Sequence, residues 1–214
     1  MKIILIQQAE PRMEWEPRYD AASFERAAEA SLNCGAAPFT AKKGDASGYR
    51  VYTGTGRAAA ETAEMLFEFA QPPERSALLD DMPLRPFCKT DKSLPLRLWK
   101  VMGEAQWLLG GRRQPESRGD ALRRAGRFID LLEREDRDCV VICGGFAMKA
   151  LKSVLRRRDY CLEGGGLFSK PLERVRAVKR SMHCGGCHHN CLLTEPKCQI
   201  GMNKARERQI KQGV

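Results

Sequence analysis

The stretch Cys139-Val140-Val141-Ile142-Cys143-Gly144-Gly145-Phe146 decides the fold of this chain. Five apolar residues in a row, bounded by Asp138 and Gly144, have the length and composition of a strand covered on both faces, because a half-exposed strand alternates polar and apolar positions. The paired glycines then turn the chain into a segment where Met148, Leu151 and Leu155 recur at helical spacing. A buried strand passing through a tight turn into an amphipathic helix is the repeating unit of an α/β protein with a parallel sheet.

The same unit recurs upstream. Lys2 to Ile6 reads as a buried strand, and Asp20 then N-caps a helix carrying Phe24, Ala27, Ala28 and Leu32, closed by Gly35. Tyr49 to Thr53 is a further strand. The turn Gly54-Thr55-Gly56 follows it, leading to a helix with Ala59, Thr62, Ala63, Leu66 and Phe69 on one face, ended by Pro72-Pro73. Leu98, Val101, Met102, Ala105 and Leu108 mark another helix, with Trp99 and Trp107 close by, expected to cover one end of the sheet. Leu122, Ala125, Ile129 and Leu132 mark the next, and residues 172–179 read as an edge strand. The expected architecture is a three-layer α/β/α domain with a mostly parallel sheet.

At 214 residues the chain holds one such domain and leaves room only for a small attachment. We place the domain at residues 1–180 and a cysteine-rich tail at 181–214. The opening apolar run stops at Gln7-Gln8, shorter than the roughly 7–15 residues a secretory signal needs. A cytoplasmic protein with no membrane attachment is therefore expected. Charge is uneven: residues 151–214 carry 14 Lys/Arg against 5 Asp/Glu, a net of +9, whereas residues 1–150 carry 23 against 22, a net of +1. A basic tail of this kind can meet nucleic acid or an acidic partner, or form an ordinary solvated surface.

The strongest chemical signal lies in that tail. Cys184, Cys187, Cys191 and Cys198 fall within 15 residues, and all three histidines, His183, His188 and His189, lie among them. Nine cysteines in a cytoplasmic chain do not make a disulfide framework. Thiolates are soft ligands, and Cys184-Gly185-Gly186-Cys187 brings two sulfurs together without crowding. The expected cofactor is a [4Fe-4S] cluster or zinc. A nearly continuous run of ligands suits a cluster, whereas structural zinc more often joins two separated knuckles. A histidine could replace one cysteine or lie outside the ligand set.

Three motifs in order carry a family resemblance. Leu5-Ile6-Gln7-Gln8-Ala9-Glu10, Val51 to Glu64 with its Thr62-Ala63-Glu64, and Val141-Ile142-Cys143-Gly144-Gly145-Phe146 resemble the histidine phosphatase superfamily, whose fold is called phosphoglycerate mutase-like. The resemblance covers about residues 1–160. It implies a phosphate site in which Gln8 stands for the histidine that attacks phosphorus and Cys143 for the second histidine. It puts one phosphate-holding arginine at Gln7 and the other near Ala58, beside Arg57, with Asp81 where the proton donor usually is.

No histidine precedes residue 183, and a glutamine amide has no lone pair basic enough to form a phosphoenzyme. The resemblance therefore implies the fold without that mechanism. Gly54-Thr55-Gly56 and Gly144-Gly145 still lead into helix N-termini, which favour phosphate or carboxylate. Expected ligand-binding residues are Gln7, Gln8, Arg57, Asp81 and Cys143, serving a small anion, a phosphorylated ligand or a protein partner. The alternative is a nucleic-acid-associated metal-binding protein. Unfamiliar enzyme chemistry at Cys143 is a further reading, set against a buried core cysteine.

Overall fold

A computed structural model describes residues 1–166 and 170–180. Along the chain run β1 (Lys2–Gln7), β2 (Arg18–Tyr19), α1 (Ala21–Asn33), β3 (Gly44–Asp45), β4 (Arg50–Thr53) and α2 (Arg57–Leu66). Next come β5 (Phe67–Glu68), β6 (Glu74–Arg75), β7 (Leu94–Pro95), α3 (Leu96–Leu108) and α4 (Arg118–Glu135). The last are β8 (Cys139–Cys143), α5 (Gly145–Arg157), β9 (Tyr160–Glu163) and β10 (Arg174–Lys179). Six strands form the main sheet in the order β6-β4-β8-β1-β10-β9. β6, β4, β8 and β1 are mutually parallel, and β10 runs antiparallel to both its neighbours.

The two-residue period of β1 explains the layers. Ile3 and Leu5 join Val141, Tyr52 and the buried sides of α4 and α5 in one core cluster. Ile6 joins Val140, Ile142, Val51 and the α2 residues Ala59, Ala63 and Leu66 in another, with Ile4 packed against it. Helices thus cover both faces of a mostly parallel sheet, as the uniformly apolar 139–143 stretch required.

Local signals place several elements. Asp20 accepts the Ser23 amide at 2.7 Å while Ser23 Oγ accepts the Asp20 amide at 3.1 Å, a reciprocal cap for α1. Gly35 does not close that helix as expected, since Cys34 is its extended C-cap. Instead, a Cβ on Gly35 would lie 2.3 Å from Glu61 Oε2, so the glycine admits this carboxylate to the Ala36 amide.

Two expectations are corrected. The strand at 174–179 is not at the edge: β9 lies outside it. Tyr160–Glu163 is short and mixed in polarity, and its strand character comes from pairing with β10. On α3 the buried residues are Trp99, Gly103 and Trp107, while Leu98, Val101, Met102 and Leu108 face outward. Two tryptophans bury more apolar area than the aliphatic stripe opposite them. Gly103 also lets Leu84 approach to about 3.0 Å of where a Cβ would be.

Trp99 anchors α1 to α3. It stacks on Phe24 with ring centroids 5.3 Å apart and donates from Nε1 to the Tyr19 carbonyl at 2.9 Å. Trp99→Ala should lower unfolding stability by about 3–5 kcal/mol in urea titrations followed by circular dichroism. A loss below about 1 kcal/mol would mean that Phe24 and Tyr19 repack without it.

Candidate functional site

The parallel strands β1, β4 and β8 end at one edge of the sheet, with Gln7, Thr53 and Cys143 at their last positions. Two adjoining cavities lie there, of about 300 and 330 Å³. Gln8, Leu32 and Asp81 line both. The first adds Gln7, Trp15, Phe146 and Lys100, and the second adds Gly54 to Arg57 and Asp80. A larger cavity of about 670 Å³ lies at the opposite sheet edge, beside Tyr49, Arg50 and Asp138, and holds none of the expected site residues.

Two neighbouring carboxylates dominate the chemistry. Asp80 accepts the Thr55 amide at 2.6 Å through Oδ1 and the Thr55 hydroxyl at 2.7 Å through Oδ2. It therefore sits in the turn just before α2. Asp81 Oδ1 accepts the Phe146 and Ala147 amides at 3.1 and 3.2 Å, in the first turn of α5. The start of α5, expected to attract an external anion, is thus met by a carboxylate of the chain itself, while at α2 Asp80 binds the preceding turn and no side chain caps the helix.

The surroundings fit this arrangement. A Cβ on Gly144 would fall 2.2 Å from Asp81 Oδ2, and one on Gly54 would fall 3.2 Å from Asp80 Oδ1. Arg124 on α4 holds the segment in place, donating from Nη1 to the Leu78 and Asp80 carbonyls at 2.9 and 2.7 Å while pairing with Glu116 at 2.7 Å. Burial pushes the Asp81 carboxyl up to about 6, partly opposed by the α5 amides and by Arg124.

The remaining expected residues divide. Gln8 lines both cavities, and its backbone amide donates to the Cys143 carbonyl at 2.9 Å. Gln7 Oε1 is buried without a hydrogen-bond partner. Arg57 reaches only the rim, where it pairs with Glu61 at 2.7 Å. Cys143 lines neither cavity: it is fully buried in the core, and burial raises its thiol well above the usual range. Its expected place beside a ligand is replaced by a packing role, since a thiol in apolar surroundings stays protonated and inert. Cys184, Cys187, Cys191 and Cys198 lie outside the described residues. Among the described residues, no cluster of three or more His, Cys, Asp or Glu could hold a metal.

Sequence reasoning missed Lys100, the role of Asp80 and the full use of Thr62. Lys100 Nζ stands 4.3 Å from the Trp15 ring centroid, and burial of its stem holds its pKa below the usual value. Thr62 Oγ1 donates to the Ala58 carbonyl at 2.6 Å and accepts the Ala9 amide at 3.0 Å, tying the exit of β1 to α2. The doublet Asp80-Asp81 was visible, but only the fold places it opposite two helix starts.

No family model matches this sequence, and neither does any curated protein. The chain is similar to the solved structure of TTHB049 from Thermus thermophilus, at 17% identity over 82% of this chain and 92% of that one, with a TM-score of 0.44. It is also similar to phosphoserine phosphatase from Entamoeba histolytica. For a mutant in complex with phosphoserine, and for the complex with 3-phosphoglyceric acid, identity is 14% over 73% of this chain and 80% of that one, with a TM-score of 0.42. No helix among the described residues is long and apolar enough to cross a membrane.

The raised pKa of Asp81 gives a pH dependence whose sign is fixed. Between about pH 4 and pH 6 the folded carboxyl keeps its proton while the unfolded one has lost it, so stability falls as pH rises through this window. Wild-type protein should lose about 1–3 kcal/mol across it relative to Asp81→Asn, measured by urea unfolding at several pH values. Parallel profiles for the two proteins would show that Asp81 ionises normally.

Proposed function

We propose that this chain carries a non-catalytic domain of the histidine phosphatase type, with phosphoglycerate mutase-like topology, whose cleft binds a small anionic ligand or a protein partner. The observation that carries this reading is that Asp81 binds the first amides of α5 while Asp80 occupies the turn just before α2. A phosphate at the start of α5 would meet a carboxylate already bound to the amides it needs, and one before α2 would face Asp80, so like charge would repel it in either place. With Gln8 and Cys143 where the resemblance puts the two imidazoles and Gln7 where it puts an arginine, there is no histidine nucleophile for phosphorus.

The neighbouring half of the cleft offers other partners. Lys100 supplies a cation on an aromatic platform, Gln7 Oε1 lacks a donor, and Trp15, Phe24 and Phe146 supply apolar walls. A ligand with a negative group for Lys100 would meet that cation while burying a small apolar body against these walls.

The tail at 181–214 is proposed as a separate module in which Cys184, Cys187, Cys191 and Cys198 hold a [4Fe-4S] cluster or zinc, with a structural or redox-sensing role. Four thiolates match the donor chemistry of either. The net charge of +9 over residues 151–214 favours a second reading, a nucleic-acid-associated metal-binding protein.

Asp80→Ala should free the Thr55 amide and strengthen binding of inorganic phosphate at least about tenfold over wild type, read by calorimetry. Hydrolysis of p-nitrophenyl phosphate should stay at background in both proteins. Turnover by wild type that disappears in Cys143→Ser would overturn the non-catalytic reading. For the tail, anaerobically purified protein should contain iron with labile sulfide, or zinc, and Cys187→Ser with Cys191→Ser should remove it. Wild-type protein with neither metal defeats the cofactor proposal.

A further inference from the structure

Among the described residues, every exposed large apolar side chain belongs to a single element. Leu98, Val101, Met102 and Leu108 lie on α3, and Leu109 is its C-cap. Val101 is 64% exposed and Leu109 87%. Single exposed apolar residues are ordinary, but a contiguous stripe along one helix marks a contact surface. The core does not need this stripe, because α3 already presents Trp99, Gly103 and Trp107 inward. A helix that is apolar on both sides has one face left to cover.

The spacing of the stripe points to a helix as its occupant. Leu98, Val101, Ala105 and Leu108 follow steps of three, four and three residues, the seam of a helix pair packed knobs into holes. No charged residue interrupts it, and small Ala105 leaves a hole between larger neighbours. Arg97 and Glu104 stand two turns apart on one flank with opposite sign, Glu104 also pairing with Lys149 of its own chain. Reversing a second identical helix brings each flank's arginine toward the other's glutamate. A parallel copy would instead set this charged flank against the other flank, where Met102 and Leu109 lie, and leave both charges without a partner across the seam.

Leu98, Val101, Met102, Leu108 and Leu109 are between 38% and 87% exposed and neighbour one another on one face, a patch of the kind that marks an interaction surface.

We propose that α3 docks antiparallel against α3 of a second copy of this chain about a two-fold axis, burying Leu98, Val101, Met102, Leu108 and Leu109. The contact is isologous, so one self-complementary stripe serves both copies. It does not rest on the reading of the cleft.

The test is sedimentation velocity on the full chain in reductant, from low micromolar to several hundred micromolar, for wild type, Val101→Asp and Leu109→Lys. Wild type should move from monomer to dimer within this range. Each variant should weaken the dimer at least about tenfold. Thermal midpoints should be unchanged in dilute monomer, since both side chains are exposed there. Three results overturn the proposal: wild type monomeric throughout, a dimer indifferent to both substitutions, or a different protein bound in fixed stoichiometry to wild type and released by Val101→Asp.

Discussion

The positive ends of two helices converge at the C-terminal ends of the parallel strands, where negative groups are favoured. α2 starts just after β4, and α5 just after β8, so both aim their free amides at the same cleft. In this chain, two consecutive carboxylates lie at these ends. Asp80 takes the turn before α2 and Asp81 takes the start of α5. Gly54 and Gly144 give them room, and Arg124 clamps the backbone that carries them.

This internal pairing ties up the carboxylates of the cleft. Its other polar groups include Lys100 and Gln7, on the side walled by Trp15 and Phe146. Asp81 is held by two amides and yet disfavoured as an anion by burial. Its ionisation is the balance of these opposed effects, and it titrates where an exposed aspartate would not.

Much of the fold was legible in sequence. The apolar 139–143 run, the Asp20 cap and the heptad-like spacing on α4 each describe a local requirement that tertiary packing left in place. At α3 the reading of faces failed, because both sides of that helix are apolar. Periodicity marks a helix there, while the choice of buried side follows from what Leu84, Phe24 and Phe146 offer across the gap. The strand at 160–163 was invisible for a related reason: its order comes from its partner.

The sequence by itself determined the α/β class, the order of the units, the absence of any imidazole before residue 183 and the clustering of four cysteines in the tail. These follow from composition and short-range spacing, which need no knowledge of distant contacts. Only the tertiary structure decided that Cys143 is core, that Asp80 reaches the turn before α2 and that Asp81 fills the start of α5. The two carboxylate contacts join residues 25 and 65 positions apart, and such meetings are fixed by packing and strand register rather than by local pattern.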